Sequence, residues 1–163
     1  MARIVVLNGP SSAGKSTLAR ALLGHLGPTA THVYVDRLFA FLHADAPRDW
    51  AAFAALTDAT FRSVAAFADG GYDVIVDTVF ERRDCLDLAR RALGDRPYHL
   101  VGVTAPIDVL ETREAARGNR PIGLARRQSG NVLHDAPYTF VLDTHASSTA
   151  ECVERVSALI RPI

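Results

Sequence analysis

Gly9-Pro10-Ser11-Ser12-Ala13-Gly14-Lys15-Ser16 decides how this chain folds. The stretch is a full G-x-x-x-x-G-K-[ST] phosphate-binding loop, and Lys15 is the only lysine among 163 residues. Before it, Arg3-Ile4-Val5-Val6-Leu7-Asn8 reads as a short buried strand; after it, Ser16 to Leu23 reads as a helix that stops at Gly24 to Pro28. Strand, glycine loop and helix in that order let backbone N–H groups close around a polyphosphate, while the helix N-terminus adds partial positive charge where the phosphates lie. Gly9, Pro10, Ser11, Ser12, Ala13, Gly14, Lys15, Ser16 and Thr17 are therefore expected to bind a nucleotide. Lys15 would reach its β/γ-phosphates and the Ser16 hydroxyl would ligate Mg²⁺. A glycine-rich turn with one solvated lysine is the plain alternative, and the flanking strand and helix argue against it.

Outward from the loop, strand-like runs recur at Ile4 to Leu7, Val33 to Val35, Val74 to Val76, Leu100 to Val103 and Phe140 to Leu142, separated by helical stretches. That alternation predicts a three-layer α/β/α domain with a five-stranded parallel sheet. Asp49 is placed to cap a helix from Trp50 to Ala68 before Gly70-Gly71. Thr104 with Pro106 opens a helix from Ile107 to Arg117 before Gly118, and Ser148-Thr149-Ala150-Glu151 is a capping box. The length suits one domain, and no boundary is placed inside it. Formal charge is zero and the arginines are dispersed, so neither a nucleic-acid surface nor a membrane surface is expected. The N-terminus is too short for a signal peptide before the loop begins, which makes cytoplasm the expected location. Cys85 and Cys152 lie on predicted helices without a metal-ligand grouping and are expected to be reduced structural thiols.

Ligands of open parallel sheets collect at the carboxyl ends of strands, which here carry the glycine loop, Asp36, Asp77, Thr104 and Asp143-Thr144. A carboxylate ending a buried strand beside a phosphate loop can hold Mg²⁺ or accept a proton from an attacking hydroxyl; a capping aspartate is the ordinary alternative. After the fourth strand, Arg113, Arg117, Arg120 and Arg126-Arg127-Gln128 run through a Gly/Pro-punctuated segment. Arginines on such a segment can cover a triphosphate, which makes about 118–128 a candidate lid. A solvated basic helix face is the alternative for Arg117 and Arg126.

With these residues in view the chain resembles the chloramphenicol phosphotransferase family of small P-loop kinases. The resemblance runs through Leu7-Asn8-Gly9, Ser11 to Ser16, Val35-Asp36, Asp77 with Val79-Phe80, Val101-Gly102-Val103, Arg113-Glu114, Ala116-Arg117-Gly118, Arg120, Val132, His134, Tyr138, Asp143-Thr144 and Glu151-Cys152. The spacing from Arg113 to Arg120-Pro121 is also similar to shikimate kinases, in which the first arginine packs on adenine, the second is the lid arginine and an Asp-Thr pair borders the adenine. The resemblance implies ATP-dependent phosphorylation of a hydroxyl on a small antibiotic. Asp36 would be the base, Lys15 and Arg120 would act on the transferring group, Ser16 and Asp77 would hold Mg²⁺, and Arg113, Arg117, Asp143 and Thr144 would contact the nucleotide. The segment Leu42 to Ala55 is shorter than the family's acceptor-side insertion, and residues 37–69 are expected to shape the acceptor pocket. Two other readings stay open: a metabolic kinase of shikimate, gluconate or nucleotide type, and a non-enzymatic nucleotide-binding switch. Leu38, Phe39, Phe41, Leu42, Trp50 and Phe53 make the acceptor segment apolar, with only Arg37, Arg48 and Arg62 to meet an anion.

Overall fold

The computed structural model describes residues 2–35, 37, 42–47, 49–118, 121–132 and 135–160. Asp36, Arg120, Leu38, Phe39, Phe41, Arg48 and His134, all singled out by the sequence, lie outside the described residues. Five strands form one parallel sheet: β1 (Ile4–Asn8), β2 (Ala30–Tyr34), β3 (Asp73–Thr78), β4 (Tyr98–Thr104) and β5 (Phe140–Asp143), in the order β2-β3-β1-β4-β5. Six helices connect and cover them: α1 (Lys15–Leu26), α2 (Trp50–Asp69), α3 (Arg83–Leu93), α4 (Ile107–Arg117), α5 (Leu124–Asn131) and α6 (Thr149–Ile160).

The alternation of β1 explains the three layers. Val5 and Leu7 pack with Leu18 and Leu22 of α1, Leu110 of α4 and Val156 of α6, while Ile4 and Val6 pack with Phe61 and Val64 of α2 and Leu86 of α3. With both faces covered, β1 and β3 are apolar throughout except where Asn8 and three residues of β3 (Asp73, Asp77, Thr78) supply polar side chains at strand ends. No described helix is long and apolar enough to cross a membrane.

Caps fall close to where the residues predict them. The Asp49 carboxylate accepts from Ala52 N at 2.9 Å, and Ser148 with Glu151 forms the reciprocal box, Ser148 N donating to Glu151 Oε2 at 2.8 Å and Glu151 N to Ser148 Oγ at 3.3 Å. Two boundaries differ. Helix α1 continues through Gly24 to Leu26, because Gly24 sits on the exposed face while Leu22, Leu23 and Leu26 keep packing on the core; Gly27, at φ 90°, ends it. Strand β2 begins at Ala30 and ends at Tyr34, set by its register against Asp73 to Asp77 of β3. Inside the predicted lid, α5 forms a regular helix on α4. Glu114, 1% exposed, sets its start: one carboxylate oxygen accepts from Gly123 N and the other from Ala125 N, both at 2.7 Å. Cys85 and Cys152 are buried free thiols, and burial pushes Cys85 up to about 11.

Asp73 starts β3 and clamps the chain's N-terminal segment: it accepts from Arg3 N at 2.8 Å and forms a salt bridge with the Arg3 guanidinium. Burial opposes its charge, and the Arg3 hydrogen bonds overcome that, holding the carboxyl below its ordinary range. A depressed carboxylate contributes stability above its unfolded pKa and loses it as pH falls through the folded one. Asp73→Asn is expected to cost about 1–3 kcal/mol at pH 7, and the gap to wild type should close below about pH 4 in urea melts. A gap that persists at pH 3 would contradict the ionic clamp.

Candidate nucleotide-binding site

The loop between β1 and α1 is shaped by two glycines. A Cβ on Gly9 would stand 1.9 Å from Val103 O of β4, so only glycine lets the chain leave β1 there. Gly14, at φ 93°, turns the backbone into α1 and leaves that helix without a side-chain cap. The first-turn N–H groups of a helix have no intrahelical partners, so Gly14 to Thr17 offer donors and the helix dipole to the cleft that they line.

Lys15 is folded back over the loop. Its Nζ donates to Gly9 O and Pro10 O, each at 2.8 Å, and lies 3.8 Å from Asp77 Oδ1. Ser16 Oγ donates to Asp77 Oδ2 at 2.6 Å, so one buried carboxylate at the end of β3 engages both residues. The parallel register puts Asp77 beside Leu7 on one side and Tyr34 on the other, bringing the ends of β1, β2 and β3 together.

A cleft of about 1140 Å³ opens over this point. Along one wall, Arg113 of α4 donates from Nη1 to Thr144 Oγ1 at 2.9 Å and from Nη2 to Thr144 O at 3.1 Å, while Thr144 Oγ1 donates to Ala13 O at 2.8 Å. Thr144 thus joins the phosphate loop to the loop after β5. Arg117 lines the same wall and is exposed. Asp143 Oδ1 accepts from His145 N at 2.8 Å and Ala146 N at 3.2 Å, holding the turn that presents Thr144. Gly9, Pro10 and Ala13 serve as framework, through close packing and through the carbonyls of Pro10 and Ala13.

The opposite wall carries Tyr34, Val35, Arg37 and Phe53. The Arg37 guanidinium lies 4.2 Å from the Tyr34 ring centre, and the His32 ring lies tilted by 36° against Tyr34 with centres 3.8 Å apart. Burial, together with the charges of Arg20 and Arg37, pushes His32 down to about 4. Arg62, which the sequence offered as an anion contact, pairs instead with Asp58 on the outside of α2, whereas Arg20 of α1 lines the cleft. Arg20 follows Ser16 by one helical turn, a signal available in the sequence.

Three further residues organise the site without a motif of their own. Asn8 accepts from Phe80 N at 2.7 Å and donates to the Tyr138 hydroxyl at 2.6 Å, fixing the chain that leaves β3. Glu81 and Gln128 link that segment to α5 and to the phosphate loop.

A phosphate-binding loop closed over a carboxylate of the adjacent strand, in a 2-3-1-4-5 parallel sheet, defines the P-loop kinase class. The family model of chloramphenicol phosphotransferase-like proteins matches residues 2–161, and this chain belongs to that family. Among curated protein sequences none is significantly similar to it. Solved structures share its fold. An unliganded sugar kinase from Janibacter sp. superposes with a TM-score of 0.77 at 20% identity, over 98% of this chain and 95% of that one. The APS kinase of Mycobacterium tuberculosis, in complex with AMPPNP and APS, gives 0.72 at 24% identity, over 98% of each chain. The tunicamycin resistance protein of Deinococcus radiodurans gives 0.73 at 18% identity, over 100% and 98%. Family and fold together support a nucleotide-binding phosphotransferase.

Gly9→Ala is the sharpest test of the loop's geometry. Because the new methyl would meet backbone rather than a movable side chain, the variant should lose about 1–3 kcal/mol or more in thermal melts and lose nucleotide affinity. Wild-type stability with wild-type affinity would contradict the close approach to Val103.

Proposed function

We propose that the chain transfers the γ-phosphoryl group of ATP to a hydroxyl of a small molecule, with an antibiotic as the leading acceptor class. The observation that carries the reading is the convergence of Lys15, Ser16 and Asp77 at an uncapped helix N-terminus. Membership of the chloramphenicol phosphotransferase-like family and the fold shared with a tunicamycin resistance protein support the acceptor class.

The donor set suits Mg²⁺. One hydroxyl and one carboxylate beside a phosphate loop match an ion that keeps several waters and takes its remaining ligands from substrate phosphates. When bound it would neutralise charge on the β- and γ-phosphates. Lys15 would exchange the carbonyls of Gly9 and Pro10 for phosphate oxygens, and the first-turn amides of α1 would hold the chain of phosphates in line. Arg113, already fixed against Thr144, would flank the adenine together with Arg117. Asp36, next to cleft-lining Val35 in sequence, would orient the acceptor hydroxyl and take its proton, while Arg120 would close over the transferring group. A loose transition state has little bonding to the entering or leaving oxygen, so positioning and charge stabilisation by these groups are the main contributions.

One observation favours the second reading, a metabolic kinase with an anionic acceptor. Arg20 and Arg37 both line the cleft, and neither is ion-paired to a described residue. Acceptor-dependent ADP release from MgATP, measured against hydroxylated antibiotics, sugar acids and nucleosides, separates the readings by which class raises turnover. Slow release that no acceptor raises would make the protein a nucleotide-binding switch and overturn the kinase assignment.

With an active acceptor in hand, Asp36→Asn is expected to keep ATP affinity and lower kcat by about 10²–10⁴. Asp77→Asn should be limited by the metal instead, its defect partly relieved by raised Mg²⁺. Equal loss of ATP affinity and turnover in Asp36→Asn would exclude the base role.

A further inference from the structure

One peptide group in the phosphate loop is engaged from both sides. The Pro10 carbonyl accepts from Lys15 Nζ at 2.8 Å, and the N–H of the same peptide, on Ser11, donates to Gln128 Oε1 of α5 at 2.8 Å. Gln128 Nε2 in turn donates to Glu81 Oε1 at 3.1 Å, and Arg127 Nη1 donates to Glu81 Oε2 at 3.0 Å. A continuous chain of hydrogen bonds therefore runs from the segment after β3, through α5, across the Pro10–Ser11 peptide, to the ammonium of the only lysine. Hydrogen bonds in series polarise one another: an acceptor on the N–H makes the carbonyl of that peptide a better acceptor.

We propose that Gln128 is a positioning residue for Lys15, acting through the Pro10–Ser11 peptide, with Glu81 holding its amide in the one orientation that presents oxygen to Ser11. In this arrangement α5, which begins within the predicted lid, and the phosphate-binding lysine are set against each other. Fixing the Gln128 amide keeps Lys15 seated on the loop carbonyls before phosphate arrives, and drawing Lys15 onto phosphate loosens the grip on α5. The choice of amide is specific. A carboxylate at position 128 is repelled by Glu81 and driven off Ser11 N, and a matching exchange at position 81 restores a donor between the two. The proposal rests on the reading of Lys15 as the phosphate ligand, yet its central measurement needs neither nucleotide nor acceptor.

Because Lys15 is unique and 7% exposed, the rate at which an amine-directed reagent modifies it, followed by peptide mapping to set aside the N-terminal amine, reports how often its ammonium leaves the carbonyls. Gln128→Ala and Gln128→Glu should each raise that rate about two- to tenfold, the effect of one net hydrogen bond. Glu81→Gln alone, which keeps an acceptor for Gln128 Nε2, should leave the rate near wild type. Combined with Gln128→Glu it should return the rate to within about twofold of wild type, because each end of the pair regains a partner. Buried Cys85 and Cys152 supply the control for general loosening: thiol labelling should stay slow in every variant. Unchanged lysine labelling in Gln128→Ala, failure of Glu81→Gln to rescue Gln128→Glu, or thiols that react in step with the lysine would each overturn the relay. Protection of wild-type Lys15 by MgATP is scored separately; its absence would count against the kinase reading and leave the relay to the rate series.

Discussion

The 2.6 Å hydrogen bond from Ser16 Oγ to Asp77 Oδ2 ties the first turn of α1 to the end of β3, and the rest of the site is arranged around it. It can form only because β3 lies next to β1 although α1, β2 and α2 intervene in the chain, so the strand order is itself a condition of the chemistry. The same order places β4 on the other side of β1, close enough that the loop must begin with a residue lacking a Cβ. Buried apolar faces on both sides of β1 hold these three strands in register, and the register delivers Asp77 opposite Leu7, just before the loop that begins at Gly9. Packing energy far from the cleft is thereby converted into the placement of one carboxylate.

Charge is handled locally on a chain whose formal balance is zero. Away from the cleft, arginines are matched: Arg96 with Asp69, Arg126 with Glu111, Arg83 with Asp135. These exposed pairs contribute little individually, and their effect is to keep the outer surface neutral while cationic groups gather at the cleft. Arg113, Arg117, Arg20 and Arg37 all line it, on two helices and one loop. Four arginines gathered around a cleft that also holds Asp77 and Glu81 draw in anions and raise their local concentration.

Much of this was legible from residue order. The glycine loop with its flanking strand and helix, the five parallel strands and the caps at Asp49 and Ser148 follow from local rules of spacing and hydrogen-bond satisfaction, which tertiary packing did not override. Asp77 was legible because a carboxylate that ends an apolar run has few alternatives in this fold. The partners of Glu114, Gln128 and Asn8 were not, since each includes a backbone N–H brought close only by the folded sheet or by α5. Asp143 follows β5 as its spacing predicts, and its contacts to the N–H groups of His145 and Ala146 were not legible, since they depend on the turn that the chain makes there. Gly24 misleads, because a glycine on an exposed helix face costs too little to end a helix that is still packing leucines.

The central claim is that the cleft passes a phosphoryl group to an alcohol rather than to water. The most direct measurement is ³¹P NMR of MgATP incubated with the protein and the acceptor that most raises ADP release. The account predicts loss of the γ-phosphate signal with equal growth of ADP and of one new phosphate-monoester resonance. Growth of inorganic phosphate alone, with the acceptor unchanged, would contradict it.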